Sequence, residues 1–344
     1  MAASFRPRPR RADSPLRVLV LLVALLAAVL AACGQAAVVP TPPPGATSSA
    51  APPATATPAT PTASPAPTFP LTLTDDEGTS VDIPAEPQAI VSLTPAATET
   101  LFALGVGDRV VAKAEDIAAY PPEADDLPIV ATFQGVDVER IVDLGADLVI
   151  AGGGDPSFTP ASAIEQLRRV GVPVVVLYAR DIQGALEGIR LVGLATGTAS
   201  AADRLTASMA IEIAELGAAT AVLDHPRVFY EIDATTKIYT VPEDSLYAEM
   251  LILAGADPIT TDDSYEISLE ELVAADPEVI LLGDDAGYAT AGDVAARPGW
   301  GDMTAVRNGS VYPIAEYVLV TRPGPRLVEG LRALVEALHP EVLR

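Results

Sequence analysis

Nucleophilic, metal-assisted and acid–base chemistry each need side chains that this chain scarcely contains. Cysteine occurs once, at Cys33, and histidine twice, at His225 and His339. A hydrolytic triad needs a Ser or Cys nucleophile, a His base and an acid. No G-x-S-x-G is present and neither His follows a strand-like run. A lone Cys forms neither an internal disulfide nor a Cys-cluster zinc site. Gly152-Gly153-Gly154 lacks both the Gly-Lys-Ser/Thr ending of a phosphate loop and GxGxxG spacing, but it would let the chain pass close to a bulky ligand. The acidic pairs Asp125-Asp126 and Asp284-Asp285 lack calcium-loop spacing and read as solvated turns. What remains is chemistry of contact. Phe133, Tyr178, Tyr239, Tyr265 and Tyr317 fall on predicted strand-end loops. Aromatic faces there suit a large planar ligand, and a tyrosine can ligate ferric iron; ordinary packing is the alternative. Thr94-Pro95 reads as an N-cap and first-turn proline after a strand. It is either a plain capped helix or one whose free N–H groups meet a polar ligand edge. No catalytic residue, resident metal or cofactor is expected.

The composition agrees. Twenty-one Lys+Arg against 46 Asp+Glu give a net charge of −25 over 344 residues, which argues against a nucleic-acid or polyanion binder. Arg6, Arg8, Arg10, Arg11 and Arg17 precede an apolar run from Val18 to Ala32, too short for a comfortable membrane span and typical of a secretory signal. That run ends Leu30-Ala31-Ala32-Cys33, matching the bacterial lipobox, whose Cys is lipidated and becomes the mature N-terminus. From Gly34 to Pro70 there is no charged residue, and Pro, Thr, Ala and Ser dominate. Such a tract buries no core; as a flexible coil it spans roughly 35 Å. The expected organisation is a signal peptide at 1–32, a lipidated Cys and disordered linker at 33–70, an N-terminal lobe at 71–198, a connecting helix at 199–221 and a C-terminal lobe at 222–344.

Two lobes are expected because the body repeats itself. Short β-branched runs at 89–93, 147–150, 173–177, 228–232 and 278–282 alternate with helical patterns, which predicts α/β lobes with mostly parallel sheets. Glu99-Thr-Leu-Phe-Ala-Leu-Gly105 resembles Glu249-Met-Leu-Ile-Leu-Ala-Gly255. Val136-Asp-Val-Glu139-Arg-Ile-Val142 resembles Ile267-Ser-Leu-Glu270-Glu-Leu-Val273, and Val170-Gly171-Val-Pro-Val-Val resembles Arg307-Asn308-Gly309-Ser-Val-Tyr. Between the halves, Ile182, Leu186, Ile189 and Gly193 share a helix face that Gly197 ends. Ser200-Ala-Ala-Asp203 is an N-cap signature for a second helix carrying Leu205, Met209, Ile213 and Leu216. Two α/β lobes joined by one connector put a ligand in the cleft between them, near the strands' C-terminal ends. Glu139 and Glu270 occupy equivalent positions; with Asp137 and Ser268 as N-caps, both sit at N2, where an acid complements the helix dipole. Ser268 and Glu271 also form a capping box.

Val91-Ser-Leu-Thr-Pro-Ala-Ala-Thr-Glu-Thr-Leu-Phe-Ala-Leu-Gly-Val-Gly-Asp-Arg-Val-Val111 resembles the opening of the helical-backbone substrate-binding proteins of ABC importers, the receptors for vitamin B12, ferric siderophores and haem. Tyr120-Pro-Pro-Glu123, Glu139-Arg-Ile-Val142, Ser268-Leu-Glu-Glu-Leu272, Trp300 through Tyr312, Arg322-Pro-Gly-Pro-Arg326 and His339-Pro340 extend the likeness over about 72–342. The resemblance implies two Rossmann-like lobes joined by a single long helix, limited hinge motion, no catalysis and a receptor anchored by lipid outside the cytoplasm, working as a monomer with a permease dimer and its ATPase subunits.

In that family one glutamate on each lobe pairs with arginines of the two permease subunits, which implies docking roles for Glu139 and Glu270 beside their helix-dipole role. Phe133 and Tyr239 match positions where the B12 receptor carries aromatic contacts. Ile117 and Gly152-Gly-Gly154 stand where it has a tyrosine and a tryptophan. Tyr120-Pro-Pro and Arg322-Pro-Gly-Pro-Arg326 favour cobalamin or a related corrinoid as ligand, with ferric siderophore or haem close behind. Arg180, Glu316 and Arg322 are read either as partners of an anionic siderophore or as solvated or ion-paired side chains. A secreted α/β hydrolase and a surface adhesin are the rivals from other classes.

Overall fold

A computed structural model of the chain describes residues 67–344 apart from 154–158, 263, 284–288, 315–319 and 321. Cys33, the signal segment, most of the linker and Tyr317 therefore lie outside the described residues. The first half carries β1 (Leu71–Thr74), β2 (Ser80–Ile83), β3 (Ile90–Ser92), α1 (Pro95–Ala103), β4 (Val110–Ala114), β5 (Ile129–Thr132), β6 (Gly135–Val136), α2 (Val138–Asp143), β7 (Leu148–Gly152), α3 (Ala161–Arg169) and β8 (Val174–Leu177). Two helices follow, α4 (Ile182–Thr196) and α5 (Ala199–Thr220). The second half carries β9 (Arg227–Glu231), β10 (Ile238–Tyr239), α6 (Leu246–Leu253), β11 (Asp257–Pro258), β12 (Glu266–Ile267), α7 (Leu269–Ala275), β13 (Val279–Leu282), α8 (Ala291–Ala296), α9 (Thr304–Asn308), β14 (Val311–Pro313) and α10 (Leu327–Leu338).

Among the described residues ten of the fourteen strands form two α/β sheets, and β1–β2 and β10–β12 pair separately. The first has the order β6-β5-β4-β3-β7-β8 and is parallel except for the β5–β6 pair. The second, β11-β9-β13-β14, is parallel throughout. Parallel strands covered on both faces read as unbroken apolar runs. Leu148, Val149, Ile150 and Ala151 are accordingly all buried, as are Val174–Val176 and Ile280–Leu282.

Three apolar clusters fill these lobes. One packs the first sheet against α2 and α3, through Val149, Ile141, Ile164 and Leu167. A second packs the other sheet around Phe229, Ile280, Leu272 and Trp300. The third is shared: Ile90, Leu101 and Ile150 of the first half, Ile189, Met209 and Ile213 of α4 and α5, and Val228, Met250 and Leu334 of the second half form one continuous core.

The helix pair that carries this core turns back within two residues. Gly197 is left-handed at φ 82° and ends α4; the Thr198 N–H then donates to the Gly193 carbonyl at 2.7 Å. A Cβ at Gly193 would lie 2.4 Å from that of Ala202, so glycine lets the helices touch. The 22-residue α5 starts at Ala199 with Thr198 at its N-cap, about 33 Å at 1.5 Å per residue. Ser200 thus lies in the first turn, not at the cap, because the tight reversal at Gly197 starts the helix early. The β1–β2 hairpin joins the first lobe through Asp75. That carboxylate is fully buried and accepts from Arg168 Nη2 at 2.7 Å and from the Val176 N–H at 3.3 Å.

Candidate functional site

Because β3, β4, β5, β7 and β8 are parallel, their C-terminal ends share one edge, and the segments leaving them can converge there. At the end of β3, Thr94 caps α1 with its side chain accepting the Ala97 N–H at 3.2 Å, and Pro95 holds the first turn. Pro95 has no N–H, so of the first three amides only that of Ala96 could meet a ligand. At the end of β5, Phe133 stands on the turn into β6 and is 87% exposed. Tyr178 leaves β8; its N–H donates to Asp76 at 2.7 Å, and Arg180 lies 5.1 Å from its ring centroid. Asp181 accepts the Gly184 N–H as the N-cap of α4 rather than pairing with Arg180. Gly153 has a packing reason to be glycine: a Cβ there would lie 2.6 Å from Val176 Cγ1 and 3.2 Å from Glu77 Oε1.

The second lobe contributes Tyr239 and Tyr265 from the two strands of one short ribbon and its turn. β10 and β12 pair antiparallel, with Tyr239 opposite Glu266, and the Thr240 N–H donates to the Tyr265 carbonyl at 2.9 Å. Tyr265 is 40% exposed and takes a left-handed φ of 60°, which turns the chain into β12. Glu139 and Glu270 stand at N2 of α2 and α7, both exposed. Each helix follows a two-residue antiparallel strand, β6 or β12, and is capped by its own side chain. Asp137 accepts the Arg140 N–H at 2.9 Å, while Ser268 and Glu271 close a reciprocal box. Glu271 therefore serves the cap and leaves Glu270 free of that task.

Sequence reasoning did not anticipate the charged cluster between the halves. Glu99 is on α1, and its side chain is 1% exposed. It accepts from Arg322 Nη1 at 2.7 Å and from Arg326 at 2.8 and 3.1 Å. Arg322 also pairs with Asp116, in the loop after β4, through both of its terminal nitrogens. Burial pushes the Asp116 carboxyl up, but the Arg322 guanidinium and the Ala118 and Tyr120 amides outweigh it and hold the group below its ordinary value. The Arg326 guanidinium lies 3.6 Å from the Tyr120 ring centroid, a cation–π stack. Arg322 is thus neither solvated nor aimed at a ligand. The available signal was Glu99 itself, a carboxylate on the buried side of a helix otherwise lined by Ala97 and Leu101. Beside this cluster a cavity of about 280 Å³ is lined by Phe102, Ala103, Tyr120, Glu123 and Pro325, toward the end of α1 away from Thr94.

Both histidines serve the fold. His339 is buried with Nε2 at 3.2 Å from the Gly255 carbonyl, and His225 Nε2 lies 3.4 Å from the Thr220 carbonyl. Among the described residues no group of three or more His, Cys, Asp or Glu could hold a metal ion, and no helix is long and apolar enough to cross a membrane.

Residues 90–318, two thirds of the chain, match the model of the periplasmic binding protein family. The chain belongs to that family. The uncharacterized ABC transporter substrate-binding lipoprotein YvrC of Bacillus subtilis is 33% identical over 282 residues, covering 80% of this chain and 88% of its own. A cobalamin-binding protein of Halobacterium salinarum is 30% identical over 288 residues, covering 79% and 74%. Among solved structures, the periplasmic heme-binding protein RhuT of Roseiflexus sp. RS-1 superposes with a TM-score of 0.63 at 26% identity, covering 73% of this chain and 98% of that one. The two-lobed α/β architecture is thus that of the periplasmic binding proteins, and the two sheets described above are its lobes.

Proposed function

We propose that the chain is the receptor of an ABC importer, tethered outside the cytoplasm through Cys33, that captures a corrinoid such as cobalamin and hands it to a permease dimer. The observation that supports this reading is an edge of five parallel strand ends bearing Phe133 and Tyr178, with Tyr239 and Tyr265 on the second lobe's ribbon after β9. Likeness to a cobalamin-binding protein over four fifths of the chain supports it. Binding here involves no bond chemistry. The aromatic faces take a planar ring, the amide end of α1 takes a polar edge, and the ligand favours the lobe arrangement to which it binds better. Glu139 and Glu270, one per lobe, would face equivalent basic pockets on the two permease subunits. Haem or a ferric siderophore is the second reading. Likeness to a heme-binding structure favours it, as do the tyrosines, which can ligate iron.

Isothermal titration of the full chain with cyanocobalamin tests the ligand. Saturable one-to-one binding below micromolar Kd is expected; no heat, with haem binding instead, overturns the corrinoid reading. A Glu139→Ala/Glu270→Ala variant is expected to keep that affinity and lose uptake in cells that carry the cognate permease. Retained uptake would remove the docking role.

A further inference from the structure

We propose that Arg322 is a positioning residue of the ligand cleft: from the second lobe it holds the first-lobe loop at 116–120 in place, and so ties the shape of the cleft to the spacing of the lobes. The proposal rests on the receptor reading above for its purpose, but not for its geometry. Loop 116–120 leaves β4 on the edge that carries Thr94 and Phe133, and its apex is Ile117, 76% exposed. Residues 117–120 of that loop are all exposed. Besides the stack of Tyr120 on Arg326, its backbone is fixed by one buried carboxylate. Asp116 accepts the Ala118 N–H at 2.9 Å and the Tyr120 N–H at 3.4 Å, and its side chain is 2% exposed.

A buried carboxylate needs a cationic partner, and the one supplied is Arg322, just before α10. The Arg322 guanidinium is shared: Nη1 bonds both Glu99 and Asp116, while Nη2 bonds Asp116. The segment bearing it lies hard against α1, since a Cβ at Gly324 would sit 3.6 Å from Ala96 Cα. Hydrogen bonds of this length do not stretch. A separation of the lobes that exceeds hydrogen-bond reach takes the guanidinium away from Asp116. Asp116 is then left without its cation, the Ala118 and Tyr120 amides lose their fixed acceptor, and Ile117 is no longer held in place. Lobe separation and ligand release become one event.

Amide hydrogen exchange in the full chain tests this without any ligand. In Arg322→Gln, exchange at Ala118 and Tyr120 is expected to rise at least tenfold while β9 and β13 keep wild-type rates; Arg322→Lys should restore part of the protection. Glu99→Gln, which leaves the Arg322–Asp116 pair standing, should change those two amides less than threefold. Unchanged exchange at Ala118 and Tyr120 in Arg322→Gln, or a rise shared equally with β9 and β13, overturns the proposal. Cyanocobalamin titration of the same variants adds a separate readout, with Kd expected to weaken at least tenfold in Arg322→Gln. If the wild-type chain does not bind cyanocobalamin, the corrinoid reading fails, and the exchange result still decides the role of Arg322.

Discussion

Glu99 and Glu249 hold the same position in the internal repeat, and each reaches the start of the other lobe's last helix by a different chemistry. Glu99 on α1 meets Arg326, the N-cap of α10, and Arg322 four residues before it. Glu249 on α6 accepts the Ile182 N–H at 2.7 Å, the first residue of α4. One crossing is a buried ionic network; the other is a carboxylate on a helix N-terminus, where amides and dipole both favour an anion. The two halves share the topology of the contact and differ in its partner, a backbone amide in one and guanidinium groups in the other. The difference matters because removing one member of a buried ion network strands the remaining charges, whereas an amide at a helix end can turn to water.

That contrast can be broken by measurement. Glu99→Ala should be the costlier change, about 3–5 kcal/mol in denaturant unfolding, because two poorly hydrated guanidinium groups lose their shared acceptor. Glu249→Ala should cost about 1.5–3 kcal/mol, the worth of one charge-assisted hydrogen bond. Equal losses would show that the ionic crossing is no more than a second cap. Acid should weaken the ionic crossing selectively. The folded Asp116 carboxyl lies below its ordinary value of 3.8, so the stability it contributes is present above that value and is lost as pH falls through the lower, folded one. The drop in Tm between about pH 5 and about pH 3 should therefore be shallower in Asp116→Asn than in the wild type. A parallel drop in both proteins would remove Asp116 from the acid response. The smallest effect expected is that of Phe133→Ala, within about 0.5 kcal/mol in unfolding, since the ring is almost wholly exposed and packs on nothing to speak of. A larger loss would make Phe133 a packing residue and weaken its assignment to the ligand.

Much of this architecture was legible in the sequence. The five strands read from β-branched runs are β3, β7, β8, β9 and β13, because buried parallel strands need unbroken apolar stretches. The N-caps Asp137 and Ser268 were equally visible, since capping chemistry is local. β4, whose apolar run is broken by Lys113, and the two-residue strands β6, β10 and β12 were not, because they owe their pairing to neighbours distant in the chain rather than to their own composition. The contact of Arg322 with Asp116 joins residues 206 positions apart, and no local pattern announces a pair at that distance. The shared core was hidden for a related reason. Ile189, Met209 and Ile213 read as helix faces, but nothing in their spacing says that both sheets rest on them.

That shared core makes the two halves depend on each other for solubility. Either half of the duplication, cut at Gly197 and expressed alone, would turn Ile90, Leu101 and Ile150, or Val228, Met250 and Leu334, toward water. Each half is therefore the cover of the other, and no cut between them leaves a lobe whose apolar face is closed.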